Sequence, residues 1–100
     1  MQLTTLVRLT IVTESVLRER LTREIMQSGA TGYTVWPAEG EGSRHFRSGD
    51  SPGDNICLET IVSSDVAQRM LAHLAAEYFP HYAMIAYGTD VHVVRGDKYV

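Results

Sequence analysis

The stretch VRLTIVTESVLRERLTREIMQSGATGYTVW, Val7 to Trp36, changes its apolar period twice. Val7, Leu9 and Ile11 alternate with Arg8, Thr10 and Val12, the pattern of a strand with one richer face. Leu17, Leu21 and Ile25 then recur every four residues, which is the apolar stripe of a helix. Thr13 offers a cap for that helix, with Glu14 in the first turn where the helix dipole favours a negative charge. Glu14 with Arg18, and Glu19 with Arg23, form favourably ordered helical pairs worth about 0.2–0.5 kcal/mol each, and they read as a solvated face. Gly29 supplies the stop. Tyr33 to Trp36 returns to a strand pattern, ended by Pro37.

Outward from this strand–helix–strand unit, the second half of the chain repeats the order without repeating the sequence. Ala38 to Asp54 carries four glycines and Pro52 and reads as one long loop. Loops beyond about 12–15 residues are uncommon in compact domains and are usually functional or disordered. Asn55 to Val62 is a third strand, rich in Ile and Val. Ser63 or Ser64 caps a second helix, with Asp65 in its first turn and Ala67, Leu71, Leu74, Ala75 and Tyr78 on one face. Pro80 forbids continuation beyond Phe79. Ala83 to Tyr87 and Val91 to Val94 make a fourth strand, with an interruption expected near Gly88. The order predicts an α+β chain: a ferredoxin-like βαββαβ sandwich whose antiparallel four-stranded sheet carries both helices on one face, with residues 1–100 as a single domain.

Composition narrows the function. One hundred residues make one small domain, whose limited buried surface would gain from assembly into an oligomer. The formal charge of −3 argues against a broad electrostatic grip on nucleic acid. No apolar run approaches the roughly 20 residues of a membrane helix, and the MQLTTLVRLTIV start, with Arg8 inside it, is no signal peptide. The lone Cys57 cannot form an internal disulfide and reads as a buried structural thiol, so the cytoplasm is the expected compartment. The third strand, NICLETIV, holds no aromatic residue, which excludes the stacking surface of an RNA-recognition module. The Val12–Ser15 junction is acidic and lacks glycine, unlike an acylphosphatase anion loop. His45, His73, His81 and His92 are scattered, and no metal is expected.

What remains is the loop segment GEGSRHFRS, Gly40 to Ser48. Its glycines free the backbone to form an anion-holding nest, and Arg44 and Arg47 bring planar charged forks suited to phosphate, with Ser43 as a neutral donor. Charge-assisted bonds of this kind contribute about 1.5–3 kcal/mol each. Two or three give at most micromolar binding unless another surface holds the rest of the ligand. The candidates for that surface are Gly32, Tyr33 and Thr34 on the second strand, and His92, Arg95 and Lys98 near the C-terminus.

The runs IVTE (Ile11–Glu14), SGATGYTV (Ser28–Val35), GEGSRHFRS (Gly40–Ser48) and AAEYFPHYAMIAY (Ala75–Tyr87) together give the chain a family likeness. It resembles the PII-like signalling proteins of inorganic-carbon metabolism, which include the partner of the sodium-dependent bicarbonate transporter and the carboxysome-associated PII protein. The resemblance implies a homotrimer that binds adenine nucleotides (ADP or AMP, with cyclic AMP and ATP as further ligands) in clefts between subunits. It also implies a T-loop, about residues 38–54, that orders around the ligand and engages a transporter or carboxysome partner. By motif match, Ser43, Arg44 and Arg47 contact phosphate, and Gly32, Tyr33 and Thr34 line the cleft. Bicarbonate is a further expected effector, with His92, Arg95 and Lys98 as its candidate site from charge alone.

The resemblance is not uniform. The sequence ends at RGDKYV without the cysteine pair of the transporter-partner branch, which favours the carboxysome-associated branch. Phe79-Pro80-His81-Tyr82 stands where the nitrogen-regulating proteins carry a glycine-lysine phosphate loop, and their modified tyrosine is missing from the long loop. The reading is a binding and signalling protein rather than an enzyme. Its alternatives are a slow nucleotide phosphohydrolase using Glu39, Glu41 or Asp50, and a metal-tolerance protein of the same trimeric fold.

Overall fold

A computed structural model of the chain describes residues 1–40 and 55–100. Strand β1 (Thr4–Glu14) leads through a single 3-10 turn (Ser15–Leu17) into helix α1 (Arg18–Ser28). Strands β2 (Thr34–Ala38) and β3 (Asn55–Val62) follow, then helix α2 (Ser64–Glu77), strand β4 (Met84–Val93) and a C-terminal 3-10 turn (Gly96–Tyr99). The sheet order is β2-β3-β1-β4, with every neighbouring pair antiparallel. This is the ferredoxin-like sandwich that the element order predicts.

One face of the sheet holds the core. Leu9 and Ile11 of β1 and Leu58 and Val62 of β3 pack with Leu21 and Ile25 of α1 and Ala67, Met70 and Leu74 of α2. The strand alternation places these residues on one side, so both helices lie on that side. Each large aliphatic side chain buried there contributes about 1.5–3 kcal/mol. The opposite face is uncovered by any other element among the described residues. Val12, Cys57, Ile85, Tyr87 and Trp36 belong to it by register. Trp36, Ile85 and Tyr87 are 40%, 48% and 47% exposed.

Several boundaries differ from those expected. Thr13 does not cap a helix: β1 continues to Glu14, and the buried Thr13 hydroxyl donates to the Ala83 carbonyl at 2.9 Å. Glu14 is therefore in a strand; within α1, Arg20 Nε lies 3.4 Å from Glu24 Oε2. Pro37 does not end β2 but sits within it, opposite Ile56. An edge strand tolerates proline because one row of its backbone groups has no ladder to join. Strand β4 runs unbroken through Gly88, where an added Cβ would lie 2.9 Å from Val7 Cγ1. Glycine there allows close packing rather than a break. On α2, Met70 is buried and Ala75 is exposed, so the buried face turns slightly from the one expected. Ser63 is the cap, accepting from the Val66 N–H at 3.2 Å.

Candidate functional site

The site begins where α1 stops. Gly29 takes the left-handed conformation, φ 117°, and its N–H closes on the Ile25 carbonyl. A residue with a Cβ pays about 1–2 kcal/mol for that conformation, which is why glycine terminates the helix here. Buried Ala30 then anchors the turn to the core. The following residues swing over the middle of β3, where the Thr60 hydroxyl donates to the Gly32 carbonyl at 2.6 Å.

An open pocket of about 290 Å³ lies at this junction. Its walls are residues 31–34 from the turn into β2, residues 59–61 from β3, and Lys98 and Tyr99 from the C-terminal turn. Pockets that bury most of a small ligand span about 300–1,000 Å³. This one therefore has room for part of a nucleotide-sized molecule, and any remainder needs a second surface. The lining residues are mixed: tyrosines, threonines, Ile61, Glu59 and Lys98. Glu59 Oε2 also stands 3.6 Å from Arg8 Nε on the uncovered face of the sheet. Glu59 thus belongs both to the pocket wall and, through its carboxylate, to that face.

Of the residues singled out from the sequence, Gly32, Tyr33, Thr34 and Lys98 come together around this pocket. Arg95 is exposed and does not line it. His92 is on the outer edge strand β4, paired with Thr5 Oγ1 at 3.1 Å, and does not line the pocket. Of the candidate anion group His92, Arg95 and Lys98, only Lys98 lines this pocket, although Arg95 belongs to the same C-terminal turn and its carbonyl accepts the Lys98 N–H at 3.0 Å. Ser43, Arg44 and Arg47 fall outside the described residues. The sequence reading missed Glu59, Thr60 and Tyr99. The signal for the first two was the polar pair Glu59-Thr60 set between the apolar runs Ile56–Leu58 and Ile61–Val62 of the third strand.

Cys57 is buried on the uncovered face, where burial and the nearby Glu59 charge push its thiol above the usual range. A thiol held this way is less readily deprotonated and so a weaker nucleophile. Among the described residues no three His, Cys, Asp or Glu side chains gather as a metal site. No helix described is long and apolar enough to cross a membrane.

A second polar cluster joins α1 to the end of α2. Glu24 Oε1 accepts the Tyr78 hydroxyl at 2.7 Å and lies 3.0 Å from His73 Nε2, while the Arg20 guanidinium sits 4.4 Å above the Tyr78 ring. Burial pushes the Glu24 carboxyl up, but the donors Tyr78, His73 and Arg20 together outweigh it and hold it below the ordinary range. Burial and the Glu24 carboxylate push the Tyr78 phenol well above its ordinary value. This cluster fastens helix to helix.

Comparison with known proteins agrees with this architecture. The family model for nitrogen regulatory protein P-II matches residues 6–98. The crystal structure of a PII-like signaling protein from Thermus thermophilus shares 59% identity over 100% of both chains, with a TM-score of 0.86. The structure of CPII from Thiomonas intermedia, bound to ADP, AMP and acetate, shares 24% identity over 99% of this chain and 98% of that one, TM-score 0.86. CPII bound to ADP and bicarbonate shares 22% identity over 99% and 98%, also at 0.86. At that identity the CPII likeness speaks for the fold alone. With a sheet order, a pocket beside the β2 turn and a family match running from the first strand to the last turn, this chain belongs to the P-II family of regulatory proteins.

Proposed function

We propose that this protein is a regulatory nucleotide-binding protein that holds ADP or AMP, with cyclic AMP and ATP as alternative ligands, in clefts between the subunits of a homotrimer. The observation that carries the reading is the half-size pocket of residues 31–34 and 59–61, which leaves much of a nucleotide for a neighbouring subunit and the long loop to cover. The uncovered sheet face supports assembly. Trp36, Ile85 and Tyr87 are half-exposed there, and large aromatics gain most when buried. On the same face the buried Thr10 Oγ1 has no hydrogen-bond partner among the described residues. A buried unpaired polar group costs about 1–3 kcal/mol, so a surface that pairs it is favoured.

In this reading Gly32, Tyr33 and Thr34 line the cleft, and Ser43, Arg44 and Arg47 close on the phosphates. The CPII structures with ADP, AMP and bicarbonate favour these ligands and favour bicarbonate as an effector. Ordering of loop 38–54 then reports inorganic-carbon or energy status to a bicarbonate transporter or a carboxysome-related partner in the cytoplasm. Calorimetry with ADP, AMP, ATP and cyclic AMP, each with and without bicarbonate, tests it. Replacing Arg44 and Arg47 by Ala is expected to weaken ADP binding at least tenfold while light scattering still reports a trimer. Equal affinity in that variant contradicts the arginine clamp.

A further inference from the structure

The C-terminal turn reaches the pocket by a route that two backbone features fix. Strand β4 ends at Val93, paired with Thr4 on the side of β1 away from β2 and β3. Five residues later Lys98 lines the pocket beside β3 and the β2 turn. The chain must therefore cross the start of β1. Arg95 makes the bend, with φ 62° and ψ 47°, and among the described residues it is the only non-glycine with positive φ. A side chain rarely adopts this conformation unless its surroundings hold it there.

The next residue, Gly96, packs directly on β1. It is buried against Thr4, and an added Cβ would overlap the Cβ and Oγ1 of Thr4 and lie 2.8 Å from its Cγ2. Rotating Thr4 gives no relief, because its own Cβ is one of the overlapping atoms. The Lys98 N–H then donates to the Arg95 carbonyl at 3.0 Å and closes the turn. Lys98 is thus presented by a short strap seated on the first residue of β1, with Tyr99 beside it.

Resting on the nucleotide-binding reading above, we propose that Thr4, Arg95 and Gly96 are positioning residues: the strap they form sets Lys98 at the pocket so that its ammonium meets an anionic group of the ligand. Moving the strap off Thr4 displaces the cation without touching any group that lines the β2 or β3 walls. The strap also explains the glycine of the RGD triplet at Arg95–Asp97: the close approach to Thr4 leaves no room for a Cβ at position 96.

The test is a double-mutant cycle, with ADP titrated by calorimetry into the full chain. Gly96→Ala is expected to weaken binding at least fivefold, and Lys98→Gln by a similar factor. The double variant is expected to bind no more weakly than Lys98→Gln alone, because both changes remove one contact. Adding Thr4→Gly to Gly96→Ala is expected to restore most of the affinity by making room for the new methyl group. Wild-type affinity in Lys98→Gln overturns the proposal whether or not Gly96→Ala folds. So does a Gly96→Ala loss that simply adds to the Lys98→Gln loss, since the strap would then act elsewhere. A wild-type protein that takes up no ADP overturns the nucleotide reading and the strap together; binding that ignores these positions overturns the strap alone.

Discussion

The Thr60 hydroxyl donates to the Gly32 carbonyl at 2.6 Å, tying an inner strand of the sheet to the turn that enters its edge strand. The two residues are 28 apart in sequence. Their bond fixes the height at which residues 31–34 stand above β3, and so the depth of the pocket between them. Thr60→Val keeps the shape and removes the donor. A loss of about 1 kcal/mol in stability is expected, read from the urea midpoint at unchanged slope. ADP affinity is expected to fall with it. An unchanged midpoint and unchanged affinity would show that the turn is set by other contacts.

The Glu24 cluster makes stability depend on acid. The carboxyl is held below its ordinary value in the folded chain, so its contribution is complete above the unfolded value, about 4.3. That contribution is lost as pH falls through the lower folded value. Thermal midpoints of the wild type are expected to drop below about pH 4, and Glu24→Gln is expected to flatten that limb. Tyr78 is fully buried and gives Glu24 a 2.7 Å hydrogen bond. Tyr78→Phe is therefore expected to cost about 1.5–3 kcal/mol near neutral pH, the range for bonds to charged groups.

Gly29 has room for a methyl group: its nearest neighbour would be Val66 Cγ2 at 3.7 Å, an ordinary contact. Any penalty at this position is thus conformational. Gly29→Ala is expected to cost about 1–2 kcal/mol from the left-handed backbone alone, measured by chemical denaturation. A neutral result would mean that the helix end can relax into another stop.

Tyr87 stands half-exposed across the ladder from Thr10 on the uncovered sheet face. Tyr87→Glu places a charge where the assembly reading requires burial. Light scattering at micromolar protein is expected to report monomers for this variant and trimers for the wild type. Trimers in both would remove that face from the interface.

The local rules carried most of the architecture. Alternation in Val7–Leu9–Ile11, the four-residue stripe Leu17–Leu21–Ile25, Gly29 and Pro80 sufficed for the order of elements and hence for the fold. What failed was settled by residues far along the chain. Thr13 looked like a cap because its partner, the Ala83 carbonyl, is 70 residues away. Gly88 looked like a break because the close approach of Val7 is visible only after pairing. Pro37 looked like a stop because nothing local says that β2 lies at an edge.

The site was legible to the same degree. The glycine and β2 residues stood out by composition, while Glu59, Thr60 and Tyr99 joined them only through strand pairing and the crossing of the C-terminal strap. His92 and Lys98 are six residues apart and equally basic-looking, yet the strap carries only Lys98 to the pocket.

The most direct test of the account is a crystal structure of the protein grown with saturating ADP. The account predicts nucleotide density against Gly32, Tyr33 and Thr34, in a cleft completed by a neighbouring copy, with Arg44 and Arg47 turned toward the phosphates. Empty clefts at saturating ADP, or nucleotide bound elsewhere with both arginines facing solvent, would contradict it.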